Sequence, residues 1–260
     1  MRISQLTPHP SRRKTEEGPV EVKNYTVQGL KFLQANVRRP WPRLIALQDY
    51  GKSLGICPTF LAIQDPPLDL HESSWKLGDY HTVSLGDWPR VDVENTPVFT
   101  DGKQEYAARR VAFCVHRSIP SSAWSVNWDE GKNRHYVVSL RLQILGDEEI
   151  VVYNLYNRIP RRTIDFTELL NQATEGNCII HGDFNFHHKM WHKNCKRHTD
   201  PDAKLLAYRT KMAGMVCANQ ESRIPTFKAD GKETTIDLVF FGTKHQAPLG
   251  RFQGRETSVV

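Results

Sequence analysis

The apolar residues of this chain fall into short β-branched and aromatic runs, and most of those runs close on Asn, Gln, Asp or Tyr. Asn36 follows LKFLQA, Gln64 and Asp65 follow FLAI, Asn154 and Tyr156 close EIVVYNLY, Asp183 and Asn185 follow CIIHG, and Asp237 lies within TTIDLVF. Runs this short, bounded by turn residues, read as buried strands. VAFCVH, AWSVNW, HYVVSLRLQIL and EIVVYNLY come in succession, which predicts antiparallel pairing among them. Helical spacing appears at Leu44, Ile45, Leu47 and Leu54, again at Ile164, Leu169 and Leu170, and through PDAKLLAYRTKMAGM, where Asp200 is placed to cap a helix opened by Pro201. Strands interleaved with helices around a β meander predict an α/β sandwich of mixed sheets covered by helices.

Two hundred and sixty residues suffice for one domain with a sizeable core. Residues 1–27 contain Pro, Arg and Glu without a hydrophobic period and read as a flexible basic lead-in carrying Arg12, Arg13 and Lys14, while 28–260 read as a single domain. No run approaches the roughly eighteen apolar residues of a spanning helix, and the N-terminus has no apolar stretch of signal-peptide type, so the expectation is an intracellular chain without a membrane partner. The five cysteines form no C-x-x-C pair and are expected as reduced thiols. The net charge of +6 is compatible with a polyanionic partner, and becomes informative only if the basic residues share a face.

Strand ends in α/β sheets converge on a common crevice, so the polar residues there are the candidates for chemistry. A carboxylate at such a rim can hold Mg²⁺ or Mn²⁺, hard ions that take oxygen ligands. On an extended strand end, Asp183 and Asn185 sit two apart and point the same way, offering one acceptor and one amide donor to a phosphoryl oxygen; Tyr156 adds a phenolic donor. Any one of these, taken alone, is more simply a turn or cap residue.

The stretch HGDFNFHHKMW, residues 181–191, closely resembles the G-D-F-N-x-H-H-x-x-W motif of the endonuclease domain of non-LTR (LINE-type) retrotransposons, a branch of the endonuclease/exonuclease/phosphatase superfamily. QANVRR, AIQDPP, VVYNLYN, PTF and TTIDLVF resemble further motifs of that family in the right order, and together the resemblance spans residues 29–242. It implies a four-layer sandwich of two mixed β-sheets flanked by helices, and a divalent-metal-dependent nuclease that nicks DNA, with Mg²⁺ or Mn²⁺ as its cofactor and no other small molecule. By the same resemblance, Asp183 positions or deprotonates the attacking water, Asn185 and Asn36 contact the scissile phosphate or order the site, Tyr156 hydrogen-bonds a phosphate oxygen, Asp237 orients a histidine, and Asp65 stands at the metal. Asn154, Arg38, Arg39, Arg158, His187 and His188 become expected substrate or phosphate contacts, and action in the nucleus is implied.

Two departures from the family bear on activity. Asp65 stands where the family has Glu, one methylene longer, and the final Ser-Asp-His motif is not found, which implies that the sandwich lacks its C-terminal strands and exposes sheet edges. His245 follows the Asp237 strand too soon to return easily on a neighbouring one. The alternative to a nuclease, weak or inactive for these reasons, is therefore a catalytically dead remnant that still binds DNA or another polyanion.

Basic residues trail the catalytic-type strand ends: Arg38 and Arg39 after Asn36, Arg158, Arg161 and Arg162 after Tyr156, and Lys189, Lys193, Lys196 and Arg197 after Asn185. They are expected around one crevice, as phosphate-backbone contacts. His187, His188, His192, Cys195 and His198 invite a zinc reading, but their spacing matches no familiar module; packing around an anchoring Trp191 is the simpler expectation.

Overall fold

A computed structural model describes residues 20–259 apart from 22, 28–29, 54, 56, 71–72, 74–75, 84–87, 90–98, 101–102, 105, 108–109, 129–132, 134, 144–148, 159–163, 174–176, 193–199, 221–224, 230–231 and 243–257. The first sheet is built from β1 (Lys23–Val27), β2 (Leu30–Asn36), β3 (Phe60–Gln64), β4 (Tyr80–Val83) and β5 (Val111–His116), in the order β1-β2-β3-β5-β4. The second contains β6 (Trp124–Trp128), β7 (Val137–Gln143), β8 (Glu149–Tyr156), β9 (Cys178–Asp183), β10 (Val216–Cys217) and β11 (Asp237–Phe241), in the order β6-β7-β8-β9-β11-β10. Both sheets are mixed: β2 runs parallel to β3 and β8 parallel to β9, and the remaining pairs are antiparallel.

Among the described residues, three helices supply the outer layers: α1 (Trp41–Ser53), α2 (Phe166–Ala173) and α3 (Pro201–Met212). The alternation of β2 shows why four layers form. Leu33, Ala35 and Val37 point outward and pack with Leu44, Leu47 and Tyr50 of α1, whereas Phe32 points inward and stacks on Phe60 with 4.9 Å between rings. The central core joins Phe32, Phe60 and Phe113 of one sheet to Leu140, Val152, Ile179 and Val239 of the other. A third core lies outside the second sheet, where Leu169, Leu170, Leu206 and Trp191 cover Leu155, Ile180 and Phe240. Burying a side chain of this size contributes about 1.5–3 kcal/mol, so each layer is held by its own apolar face. The Asp200 carboxylate accepts from the Asp202 N–H at 3.1 Å with Pro201 behind it, the cap expected for α3.

Two expectations are corrected. Lys23–Val27 is not part of a flexible lead-in but the strand β1, antiparallel to β2; residues 1–19, including Arg12, Arg13 and Lys14, lie outside the described residues. VAFCVH does not join the β meander: β5 pairs with β3 and β4 of the first sheet, and the chain crosses to the second through Pro120 and the short 3₁₀ turn Ser121–Ala123. The near-terminal residues Ser258–Val259 pair antiparallel with Val20–Glu21, while His245 lies outside the described residues. No helix among the described residues is long and apolar enough to cross a membrane.

Candidate active site

Polarity rises along each inner strand face toward one rim. Phe32, Gln34 and Asn36 follow one another on the inner face of β2, as do Val152, Asn154 and Tyr156 on β8, and Ile179, His181 and Asp183 on β9. A period of two therefore writes an apolar layer, a buried polar layer and a functional rim into each strand.

At the rim, Asn36 Nδ2 donates to Asp183 Oδ2 at 3.2 Å, a contact that spans the two sheets. Burial chiefly, then the negative charges of Asp183 and Asp65, raise the Tyr156 phenol above its ordinary value, while a hydrogen bond with the Asn36 side chain and the charge of Arg158 oppose the shift. Tyr156 thus stays protonated near neutral pH as a donor, set among Asn36, Asp65 and Asp183. Asp65, Arg38, Arg39 and Asn185 are the non-glycine residues with positive φ among those described, at 48°, 52°, 76° and 51°. All four flank this rim, where backbone strain commonly gathers at functional sites.

Asp183 and Asn185 meet differently from the extended pair expected. The chain turns left-handed at Asn185, whose own N–H donates to Asp183 Oδ1 at 3.1 Å, and the Asn185 amide donates to the Asn157 carbonyl at 3.0 Å. Asn157, which sequence reasoning missed, is fully buried and donates to the Phe184 carbonyl at 2.8 Å, locking the turn against β8. Asp237 opens β11 and accepts from Gln34 Nε2 at 3.4 Å; Gln34 Oε1 in turn lies 3.2 Å from His181 Nδ1. A carbonyl oxygen can only accept, so His181 carries its proton on Nδ1.

Asn154 is a correction: it is fully buried and holds the two sheets together, donating to the Ile63 and Ala112 carbonyls at 3.1 and 3.0 Å and accepting from Gln64. No atom remains for substrate. Replacing it with Leu should cost about 2–3 kcal/mol in urea unfolding, since the Gln64 donor is left buried without a partner, and should leave DNA affinity unchanged. A fall in affinity at full folding would return Asn154 to the substrate contacts.

Arg38 and Arg158 are exposed and Arg39 half-buried, all three beside the rim residues they follow in sequence. His187 and His188 lie on the loop leaving Asn185. His187 Nδ1 is 2.8 Å from Thr234 Oγ1, and His188 accepts from the Met190 N–H and packs 5.0 Å from the buried Trp191, whose indole donates to the Phe186 carbonyl. Arg161, Arg162, Lys193, Lys196, Arg197, Cys195 and His198 lie outside the described residues.

The residue that sequence reading missed most consequentially is Arg110. Its Nη1 lies 2.7 Å from Asp65 Oδ1, and Arg39 Nε lies 3.5 Å from the same oxygen. The Asp183 oxygens accept N–H bonds from Asn36 and Asn185, and Asp237 accepts from Gln34. Mg²⁺ demands six oxygens at about 2.0–2.1 Å in near-octahedral order. With two guanidiniums drawn onto its carboxylate, Asp65 as arranged does not fit a divalent ion.

Two mixed sheets packed face to face, helices outside and polar strand ends gathered at one rim, constitute the endonuclease/exonuclease/phosphatase fold. Within it, residues 150–258 match the family model of endonuclease-reverse transcriptase, in line with the resemblance carried by the motifs. The fold is shared with the endonuclease domain of TRAS1, a telomere-specific non-LTR retrotransposon, at 16% identity and a TM-score of 0.58, covering 83% of this chain and 85% of that one. A humanized D. rerio TDP2 carrying 14 mutations is similar at 12% identity and a TM-score of 0.50, over 85% of this chain and 86% of that one. No curated protein matches at the level of sequence.

Proposed function

We propose that this chain binds the phosphodiester backbone of DNA along the rim, as a retrotransposon-type endonuclease domain that keeps its phosphate-gripping residues while its cation position is closed. The observation that carries this reading is the gathering of Asn36, Tyr156 and Asp183 from different strands, and of two sheets, beside Arg38, Arg39 and Arg158. A phosphate there meets a protonated phenol and guanidinium forks, donors suited to its oxygens and indifferent to base sequence. Action in the nucleus is the expectation that goes with such a partner.

Each phosphate neutralised contributes about 0.9 to the slope of log affinity against log salt. Arg38→Ala/Arg39→Ala should therefore flatten that slope by about 2 and weaken binding at low salt about tenfold or more, read by fluorescence anisotropy on a short duplex. An unchanged slope would remove the rim from the binding surface.

Nicking is the second reading, favoured by the Asn36–Asp183 contact, which would hold Asp183 to orient a water toward phosphorus. It predicts that supercoiled plasmid is relaxed by the wild type and spared by Asp183→Ala. Equal background from both proteins rejects it.

A further inference from the structure

We infer that Arg110 is the built-in cation of this rim: its guanidinium holds the place on Asp65 where a divalent ion would bind, so phosphate is gripped without metal. The inference rests on the backbone-binding reading and names the charge that makes it work.

Register puts the two residues together. Gln64 of β3 pairs with Val111 of β5, so the next positions, Asp65 and Arg110, face each other just beyond the ladder. The Asp65 N–H donates to the Arg110 carbonyl at 2.7 Å, the Arg39 N–H donates to the Asp65 carbonyl at 2.7 Å, and the Arg110 N–H is taken by the His135 carbonyl at 2.9 Å. Both backbones are fixed before the side chains meet, which makes the ion pair a consequence of the fold rather than a chance surface contact. The two side chains are only 14% and 19% exposed, so water competes weakly for either charge.

Charge and space then argue against a second cation. Asp65 Oδ1 already receives Arg110 Nη1 at 2.7 Å with Arg39 Nε at 3.5 Å, and a divalent ion at bonding distance from that carboxylate would sit against two positive groups. Against the carboxylates Asp65, Asp183 and Asp237 stand the guanidiniums of Arg110 and Arg39 on Asp65 and the charge of Arg158 at Tyr156, so the chain's own cations offset its carboxylates without any ion. Guanidinium is charged at every accessible pH, and its unused N–H groups suit phosphate oxygens. In a metal-dependent site the ion supplies that positive charge; here the chain supplies it.

The test is Mn²⁺ uptake, followed by electron paramagnetic resonance, for the wild type, Arg110→Ala, and Arg110→Ala/Asp65→Asn. Arg110→Gln, checked by circular dichroism, stands in should Arg110→Ala fail to fold. The wild type should take up no Mn²⁺ at tens of micromolar, the single variant should gain one site, and the double variant should lose it. In parallel, Arg110→Ala should bind duplex DNA about tenfold more weakly in EDTA and regain that factor on adding Mn²⁺. A wild-type Mn²⁺ site abolished by Asp65→Asn would overturn the inference, and so would a folded Arg110 variant that gains no site. The expected Mn²⁺ pattern without DNA binding by any of these proteins would support the cation assignment and reject the backbone-binding reading.

Discussion

Gly182→Ala leaves the protein at least about 3 kcal/mol less stable, enough to unfold a domain of ordinary stability, when urea unfolding is followed by circular dichroism. Gly182 lies opposite Leu155 in the parallel pairing of β8 and β9 and has a φ of 148°, a conformation that a side chain disfavours. A Cβ at this position would stand 2.0 Å from the Leu155 carbonyl oxygen and 2.8 Å from both its carbonyl carbon and its nitrogen. The obstacle is backbone, so no rotamer change relieves it. Nor can β8 retreat, because Leu155 is fully buried in the outer core and the neighbouring Asn154 is tied to the first sheet. The glycine of the G-D-F-N motif is thus a packing requirement that brings Asp183 beside Tyr156, its partner in the same ladder. A loss below about 1 kcal/mol would contradict this account of the motif.

Acid should destabilise the protein through His181. Full burial lowers its imidazole from the usual 6.5 to about 3, and the ring lies between Phe32 and Phe113 at 5.3 and 6.2 Å. Its Nε2 is buried without a partner, so a proton added there would place an unpaired charge between the sheets. The unfolded chain takes up this proton as pH falls through 6.5, whereas the folded protein resists until about 3. Stability is therefore full above 6.5 and declines below it at about 1.4 kcal/mol per pH unit. Between pH 7.5 and 5.0 the loss from this group is about 2 kcal/mol. His181→Gln keeps an amide donor for Gln34 and cannot titrate, so its unfolding free energy should change correspondingly less over that interval. Parallel acid profiles for the two proteins would show that His181 is not the group responsible.

The positions of Asn36, Asp65, Tyr156 and Asp183 at strand ends were legible because strand polarity repeats every two residues and each of these runs closes on a polar group. Depth was not. Asn154 shares a face with Tyr156 but lies one layer inward, and only the stacking of β8 on β3 and β5 makes it a tie between sheets. Arg110 gave no local signal of its role, because its partner is 45 positions away and they meet through the register of β3 with β5. Lys23–Val27 reads as tail because an edge strand with a single partner needs little apolar content. The sheet to which β5 belongs follows from the crossing at Pro120, which the run of β-type segments conceals.

The most direct test is the affinity of the wild-type protein for duplex DNA across a range of salt, measured once in EDTA and once in Mg²⁺ at matched ionic strength. Binding that falls steeply with salt in both and is no tighter in Mg²⁺ than in EDTA is the predicted result. Binding that appears only with Mg²⁺, and vanishes again in Asp65→Asn, would contradict it.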